Sequence, residues 1–412
     1  MLRFVGFTGA PVLSALAPFI ILPVISRVVG SEGWANFSAG QSIGILGMVI
    51  VLFGWGIVGP VRVARSTSTA EKAALLYESL LTRAVTVSVA VPAVAIATYL
   101  ISGPSFRLES VCVAVAMTLG GLSPAWFCIG EGNPQALMLY DALPKLAASL
   151  VALPIVALSA QVLWYPAIMV AFMLPSFTVH AWRTAHPRLR EGQPVVGIGR
   201  CLRVLLPTAG IDGASNLYAS TPVPIATAGL SSEDASAFAS SDRVYRVALL
   251  TVVAIGNAFQ AWVLNPLDTD PARRHRLSIV VHLVLGLLGG AAIALLSPWA
   301  TTILFGEDVA AQPLPGVLFG VSFFFLSTTT PLIRNLLIPA QRYRLVFAAT
   351  IAAAAGGLAT MLAGSALESP VVISLGVSIS EAVSFGVLVV PALRELSRIG
   401  RSDTSPEVPL ST

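Results

Sequence analysis

Five strongly polar side chains lie along one otherwise apolar segment, residues 241–264: Asp242, Arg243, Arg246, Asn257 and Gln260. On a helix, at about 100° per residue, all five fall within roughly one third of the circumference. Charged groups inside a membrane are costly, so they usually face a protein interior or a water-filled cavity. The stripe therefore predicts a helix that lines a wet cavity and binds a polar solute, with Arg243, Arg246, Asn257 and Gln260 as candidate substrate-binding residues.

Two further segments predict helices with a polar face. These faces are Thr208, Asp212, Ser215 and Asn216 in segment 202–228, and Ser374, Ser378 and Glu381 in segment 370–392. Pro222 and Pro224 are expected to break the regular backbone of the first of these segments. Acids inside membrane helices often carry protons or ions. Asp212 and Glu381 are therefore candidates for coupling ion or proton movement to transport, and Asn216 is a further candidate for binding substrate.

A structural role is the alternative for each of these residues. Asp242 and Arg246 stand four residues apart, so they would neutralise each other on one helix face. Asp242 would also suit a helix N-terminus electrostatically. Asn257 and Gln260 would join neighbouring helices through hydrogen bonds.

The remaining charged candidates have structural alternatives as well. Asp212 and Glu381 would be buried acids that are protonated or hydrogen-bonded to a neighbouring helix. Arg27 would be an interfacial residue whose charged end reaches water. Asp141 and Lys145, also four residues apart, are expected to form a local pair.

Residue types that commonly carry out catalysis form no catalytic pattern. The four histidines, His180, His186, His275 and His282, lie at or near one predicted membrane face without the spacing of metal ligands. No phosphate-binding P-loop is present. The three cysteines are widely spaced and indicate neither a disulfide framework nor a metal site. We expect no enzymatic activity, no metal and no cofactor.

Composition indicates the scaffold that must position the polar residues. Of 412 residues, 56% are apolar and 11% are charged, whereas soluble globular chains carry about 25% charged residues. Apolar runs of about 20 residues, long enough to cross the hydrocarbon core, recur along the chain. The prediction is an all-α polytopic membrane protein with about twelve transmembrane helices. They fall near 4–26, 36–59, 84–103, 110–130, 136–158, 162–182, 202–228, 241–264, 277–304, 313–333, 345–365 and 370–392.

Basic residues orient these helices. Twenty of the 24 Lys and Arg residues fall on the N-terminal side of the predicted membrane, and only Arg27, Arg107, Arg243 and Arg246 fall on the other. Short cytoplasmic loops are enriched in Lys and Arg. Both termini are therefore predicted to be cytoplasmic, which places those four arginines on the face that arginine otherwise avoids.

The basic segment 183–203 divides the predicted helices six and six. We therefore predict two six-helix lobes, residues 1–192 and 193–396, and a disordered cytoplasmic tail, residues 397–412. An even division of this kind is typical of transporters built from two parallel repeats.

Four stretches of the sequence resemble one known family. They are ILPVISRVVGSEGWANFSAGQSI across the first two predicted helices, FGWGIVGPVRVARSTSTAEK after the second, SPAWFCIGEGNP at the end of the fourth, and SSEDASAFASSDRVYRVALL before the eighth. In these stretches and in its twelve-helix plan, the chain resembles the polysaccharide-biosynthesis flippases that transport O-antigen and capsule repeat units. That family belongs to the multidrug/oligosaccharidyl-lipid/polysaccharide exporter superfamily.

The resemblance implies two lobes around a central cavity that opens alternately to the two sides of the membrane. It also implies a cargo, a glycan repeat unit carried on a polyprenyl diphosphate. By matching position, Arg27 in ISRVVG is the basic residue of the first helix, and Arg243 in SSDRVYRV belongs to the eighth-helix motif. Arg27 is therefore a further candidate for binding substrate. The family's cytoplasmic gate region resembles the basic loop that contains Arg62, Arg65, Glu71 and Lys72.

The predicted function is therefore that of a flippase for polyprenyl-diphosphate-linked oligosaccharide in the bacterial plasma (inner) membrane, working by alternating access in cell-surface polysaccharide synthesis. Arginine's planar guanidinium suits phosphate oxygens, which would explain the arginines at the outer face. The expected partners are the lipid-linked oligosaccharide, the bilayer, a glycan polymerase and the chain-length machinery, with no nucleic acid. The alternatives are a drug or organic-cation antiporter on the same fold and a membrane-embedded glycan polymerase or ligase.

The charge distribution generates a topological prediction. Single cysteines placed within residues 185–198 should react with a membrane-impermeant thiol reagent only from the cytoplasmic side, and those within residues 231–236 only from outside. Labelling of whole cells against inverted membrane vesicles measures this. Reversed labelling at either position would contradict the predicted helix count.

Overall fold

The computed structural model describes Ser14 and residues 17–185, 197–264 and 270–402, and nearly all of them are helical. Most of the predicted first helix, residues 4–26, lies outside these ranges. The α-helices of the described residues, in chain order, are α1 (Leu22–Leu52), α2 (Trp55–Arg65), α3 (Thr69–Ile101), α4 (Arg107–Leu119), α5 (Ala125–Gly130), α6 (Pro134–Leu137), α7 (Leu143–Ser159), α8 (Trp164–Ala185), α9 (Ile198–Ser220), α10 (Pro222–Gly229), α11 (Ser232–Val263), α12 (Pro271–Phe305), α13 (Pro313–Pro331), α14 (Tyr343–Ala366) and α15 (Pro370–Ser402).

The prediction of an all-α polytopic membrane protein is confirmed. Eight stretches of described residues are long and apolar enough to cross a membrane, and they correspond to the second to fifth and ninth to twelfth predicted helices. The sixth to eighth predicted helices are also helical, as α8, as α9 with α10, and as α11. Residues 397–402 of the predicted tail belong to α15, and residues 403–412 lie outside the described ranges.

Short irregular segments interrupt the helices at identifiable residues. Gly30, with φ 59° and ψ −164°, bends α1, and Phe53 and Gly54 separate α1 from α2 with positive φ values. The predicted interruption by proline in segment 202–228 is also present, because α9 ends at Ser220 and α10 begins with Pro222. Two π-helical segments, Met138–Ala142 and Leu332–Leu337, follow α6 and α13.

One predicted boundary is wrong. Segment 241–264 was expected to begin a helix near Asp242, but α11 begins at Ser232, and Asp242 is a buried residue inside it. The preceding SEDASAFAS is polar yet contains no helix breaker, and its Glu233 and Asp234 lie in the first turn, where acids favour a helix. Asp242 is therefore not a helix N-terminal residue.

Contacts between residues divide the chain into two compact units. The first extends to Ala239 and includes Ile303–Val309, and the second comprises Ser240–Thr302 and the chain from Ala310 onwards. In the first unit, Trp55 packs against Trp126 with ring centroids 5.0 Å apart. The boundary predicted between residues 192 and 193 lies in 186–196, outside the described residues, so the predicted lobes stay predictions.

Helix packing in the second unit depends on small residues. An added Cβ at Gly320 would collide with the backbone oxygen of Gly290, and an added Cβ at Gly290 would lie 2.6 Å from the backbone oxygen of Gly320. Because lipid gives helices no hydrophobic reason to associate, close backbone approach at small residues supplies much of their packing. The reciprocal glycine contact thus fixes the crossing of α12 and α13.

Gly54 is a position in the first unit where both the backbone conformation and a close contact oppose a side chain. Its φ is +79°, and an added Cβ would lie 3.1 Å from the backbone nitrogen of Ala209 in α9. We expect Gly54→Ala to lower the unfolding free energy by at least about 1–2 kcal/mol, the cost of left-handed backbone for a residue with a Cβ. Thermal unfolding of the purified protein in detergent measures it.

Gly56→Ala is the matched control, because its added Cβ would meet nothing closer than Leu52 Cδ1 at 3.9 Å. This change should be neutral or stabilising, since alanine favours a helix over glycine by roughly 0.5–1 kcal/mol. Equal melting temperatures for the two variants would show that the turn at Gly54 tolerates a Cβ.

Candidate functional site

The polar stripe on α11 meets an arginine from another helix. Arg334 Nη2 donates hydrogen bonds to Asn257 Oδ1 and to Gln260 Oε1, both at 2.7 Å. The three residues lie in the second unit, and no carboxylate forms an ion pair with Arg334 among the described residues. We name these three residues the donor cluster.

The donor cluster exposes hydrogen-bond donors. A guanidinium has five N–H donors and no acceptor, so each amide must turn its oxygen towards Arg334 and its NH2 group away. Asn257 is exposed, while Gln260 and Arg334 are partly exposed. The cluster therefore combines an unneutralised positive charge with outward amide donors, which suits an anion.

Two local features position Arg334. It lies in the π-helical segment Leu332–Leu337, which follows Pro331. A π-turn shifts the register of the side chains that follow it, and such turns are frequent at functional sites. Gly256 allows the guanidinium to lie against α11, because a Cβ there would be 2.9 Å from Arg334 Nη1.

A layer of buried polar groups lies beside this segment. Asn335 Nδ2 donates to Ser278 Oγ at 3.1 Å, and His282 Nδ1 lies 2.8 Å from the backbone oxygen of Ser278. Ser327 Oγ donates to the backbone oxygen of His282 at 2.7 Å. The bond from Asn335 joins the segment that carries Arg334 to α12, and the bond from Ser327 joins α13 to α12, so both help to fix the position of that segment.

The residues at the other end of the stripe are mostly buried. Arg246 Nε donates to Asp242 Oδ2 at 2.5 Å, and Asp242 is only 1% exposed. Arg243 is buried as well, at 4% exposure. The stripe thus contains an ion pair with a buried carboxylate at its N-terminal end and an open donor cluster towards its C-terminal end, while binding of substrate by Arg243 and Arg246 stays a prediction.

The guanidinium of Arg27 lies against the C-terminal end of α12. It donates to the backbone oxygens of Ile303 at 2.6 Å and Leu304 at 2.9 Å, and Ser26 Oγ donates to that of Phe305 at 2.9 Å. The last carbonyl groups of a helix have no partner within it, and a cation suits that end. This geometry is a helix cap, and a substrate role for Arg27 stays a prediction.

The two candidate coupling acids have different surroundings. On α9, Asn216 Nδ2 donates to Asp212 Oδ1 at 3.0 Å, so these two predicted site residues do contact each other. Glu381 on α15 is partly buried and makes no hydrogen bond or ion pair with the described residues. The coupling roles of both acids stay predictions.

The predicted gate region contains a helix start. Ser68 and Glu71 form a capping box at the N-terminus of α3, in which Glu71 N donates to Ser68 Oγ at 3.1 Å. The guanidinium of Arg62 lies 5.8 Å from the centre of the Trp55 ring. Arg65 is the exposed last residue of α2, and Lys72 is partly exposed. The gating role of this region stays a prediction.

The expected pair between Asp141 and Lys145 is confirmed, at 2.7 Å between Asp141 Oδ1 and Lys145 Nζ. Asp141 also accepts hydrogen bonds from Ser123 Oγ at 2.6 Å and from Ser14 Oγ at 2.7 Å. In the described part of the chain, no three His, Cys, Asp or Glu side chains gather into a group that could hold a metal ion.

Sequence comparison finds no match, either among family models or among curated proteins. Solved structures do match. An inward-facing multidrug resistance MATE family transporter of the MOP superfamily aligns with TM-score 0.60 and 14% identity over 96% of this chain and 100% of its own. The lipid II flippase MurJ in an inward closed conformation aligns with TM-score 0.62 and 11% identity over 98% of this chain and 90% of its own.

An outward-facing MATE family transporter aligns with TM-score 0.52 and 13% identity, over 97% of this chain and 96% of its own. The chain has the fold of MOP-superfamily transporters. The matched proteins include a multidrug resistance transporter and a lipid II flippase. At these identities the likeness is one of fold, so the cargo must be inferred from the side chains.

The ion pair of Asp242 and Arg246 generates a stability prediction. Arg246→Ala would leave the buried carboxylate of Asp242 without its ion pair, so we expect a loss of about 1–3 kcal/mol of unfolding free energy. Replacing both residues by alanine should recover part of that loss, because no unpaired charge then stays buried. Chemical unfolding in detergent is the measurement.

The exposed pair of Arg398 and Glu395 is the control, since the Arg398 side chain is 66% exposed. Arg398→Ala should cost less than about 1 kcal/mol. If Arg246→Ala is no more destabilising than Arg398→Ala, the buried pair makes no structural contribution, and a direct role of Arg246 in binding becomes the better explanation.

Proposed function

We propose that this protein is a transporter that moves a lipid-linked oligosaccharide, carried on a polyprenyl diphosphate, across the bacterial plasma membrane by alternating access. The observation that carries the proposal is the donor cluster, in which Arg334 contacts two amide oxygens and, among the described residues, no carboxylate. The MOP-superfamily fold supports transport, and the charge of the cluster supports an anionic cargo.

The electrostatics of the cluster favour a diphosphate over an organic cation. An arginine without an ion-pair partner repels a cation, whereas its planar guanidinium donates paired hydrogen bonds to phosphate oxygens. The outward NH2 groups of Asn257 and Gln260 would extend that donor set. By its chemistry, this is a site for the charged linkage of a lipid-diphosphate cargo.

The predicted orientation places the donor cluster near the cytoplasmic face. Arg334 follows α13 by three residues, and Gln260 lies near the end of α11 at Val263. Both positions belong to the side where the sequence concentrates its Lys and Arg. A cargo assembled in the cytoplasm would meet this positive charge as it enters, which fits the direction of an exporter.

An organic-cation antiporter is the second candidate, and a specific observation favours it. Glu381 is a partly buried carboxyl group without an ion pair in the described residues. Such a group, with Asp212, would bind a cation or a proton. The two candidates therefore predict opposite charges for the cargo.

Replacement of Arg334 tests the proposal. In detergent-purified protein, Arg334→Leu should weaken binding of polyprenyl diphosphate by roughly 10–100-fold, because a hydrogen bond to a charged group contributes about 1.5–3 kcal/mol. Arg334→Lys keeps the charge and loses the guanidinium geometry, so its affinity should be intermediate. Flipping of a fluorescent lipid-diphosphate oligosaccharide in proteoliposomes should fall in the same order.

Arg344→Leu is the matched control, because Arg344 is an exposed arginine near the start of α14 on the same predicted face. It should bind and flip like the unmodified protein. Unchanged diphosphate binding by Arg334→Leu would contradict the proposal. Transport of tetraphenylphosphonium that is lost in Glu381→Gln would favour the antiporter instead.

A further inference from the structure

A second site lies in the first unit, and no residue of the donor cluster lines it. A pocket of about 340 Å³ opens between the bend of α1, the C-terminal ends of α3 and α10, and the start of α11. The side chains that define it here are Glu32, Asn36, Ser102, Thr227, Ala228 and Ser232. The charge pattern predicts this end of the helices to be the outer one, so we name it the outer-rim pocket.

The lining of the outer-rim pocket is rich in hydrogen-bond acceptors. The last turns of α3, which ends at Ile101, and of α10, which ends at Gly229, both border it. Carbonyl groups in the last turn of a helix have no acceptor role within the helix. The carboxylate of Glu32 adds a further acceptor, so the pocket suits a ligand that donates hydrogen bonds.

One buried hydroxyl group in the pocket has no partner. Ser102 is 2% exposed, and its Oγ makes no hydrogen bond within the described residues. A buried hydroxyl normally finds a partner, because leaving it unpaired costs free energy. By contrast, the Asn36 side chain is fully engaged, with Nδ2 bonded to the backbone oxygens of Glu32 and Ser105 and Oδ1 accepting from Gly103 N. Asn36 thus holds the walls together, and Ser102 is left to contact a ligand.

The charges around the pocket favour a neutral ligand. Glu32 is the one acid among its described lining residues. Arg107 stands next to it, because its Nε donates to the backbone oxygen of Ser102 at 3.0 Å and its guanidinium lies 4.6 Å from the centre of the Tyr99 ring. This positive charge offsets Glu32 and disfavours a bound cation.

The volume of the outer-rim pocket also favours a neutral small molecule over a metal ion. A metal ion draws its oxygen ligands to within about 2.6 Å, whereas a volume of about 340 Å³ lies at the lower end of the range for small-molecule sites, roughly 300–1,000 Å³. A neutral ligand of that size that donates several hydrogen bonds is a polyhydroxyl compound. We propose that the outer-rim pocket binds one sugar ring, which, if the proposed function holds, belongs to the glycan part of the cargo.

Sugar binding to the purified full-length protein tests this inference. The probes are free glucose, galactose, rhamnose and N-acetylglucosamine, examined one at a time by saturation-transfer NMR with protein in nanodiscs. At least one should bind saturably at millimolar concentration. Ser102→Ala should weaken that sugar's binding by about threefold to tenfold without lowering the melting temperature, because the hydroxyl it removes has no partner among the described residues.

Two further variants make the test specific. Ala228→Leu places a larger side chain at an exposed lining position and should abolish binding by filling the pocket. Thr98→Val is the matched control, since Thr98 is also a buried residue of α3 with an unpartnered hydroxyl but does not line the pocket. Its sugar affinity should be unchanged.

The remaining outcomes overturn the inference. In the first, none of the four sugars binds saturably. In the second, Na⁺ or Ca²⁺ binds at the pocket in their place. In the third, sugar binding is unchanged by Ser102→Ala and by Ala228→Leu. Arg334→Leu separates this inference from the proposed function, because it should lose polyprenyl diphosphate and keep the sugar. Normal lipid-diphosphate flipping without any sugar binding would contradict the sugar site and leave the proposed function intact.

Discussion

A membrane interior contains no water to hydrogen-bond the backbone, and this constraint explains how the chain uses two of its arginines. Arg83 is 1% exposed, and its Nη1 donates to the backbone oxygens of Gly121 and Ser123, where α4 gives way to α5. Arg27 does the same at the end of α12. Irregular backbone is tolerated at membrane depth only where other groups satisfy it, so these side chains make the interrupted helices possible.

Arg334 differs from those arginines in its partners. Among the described residues, amide oxygens of Asn257 and Gln260, rather than backbone carbonyls, accept its hydrogen bonds. The side chain is therefore not used to complete a broken helix. The two amides hold its positive charge in place without neutralising it, whereas the Arg27 guanidinium lies at the negative end of the α12 dipole. Arg334 is therefore the better candidate for contact with a diphosphate.

The two proposed sites have complementary chemistry. The donor cluster presents N–H groups and positive charge, and the outer-rim pocket presents acceptors and a balanced charge. A lipid-linked glycan carries both matching parts, phosphate oxygens that accept and sugar hydroxyls that donate. A small organic cation matches neither site well, because one repels it and the other already has Arg107 beside its acid.

The two π-helical segments differ in how their charged residues are neutralised. Both π-helical segments contain a charged residue, Asp141 in the first and Arg334 in the second. Asp141 is neutralised locally by Lys145, four residues along the same helical stretch. Arg334 has no such neighbour in sequence and finds its partners on α11. A charged residue that a neighbour in sequence neutralises has a structural role. One without such a neighbour is available for binding.

The sequence by itself determined the features that depend on local chemistry. The length of the apolar runs predicted the membrane helices, and Pro222 and Pro224 predicted the break before α10. A spacing of four residues predicted the pairs Asp141–Lys145 and Asp242–Arg246. Periodicity also grouped Asn257 with Gln260. Helix starts were less certain, since the polar residues before Asp242 are compatible with either a loop or a helix.

Only the tertiary structure decided what the polar residues contact. Arg334 stands 77 positions from Asn257, and no local pattern distinguishes it from the other arginines that are predicted to be cytoplasmic, except its place just after Pro331. Arg27 matched a family motif, yet its partners are carbonyls 276 and 277 positions away. The outer-rim pocket likewise joins the ends of α3 and α10. Each of these arrangements depends on which helix ends lie side by side in the fold. The linear sequence shows only which chemical groups each helix end carries.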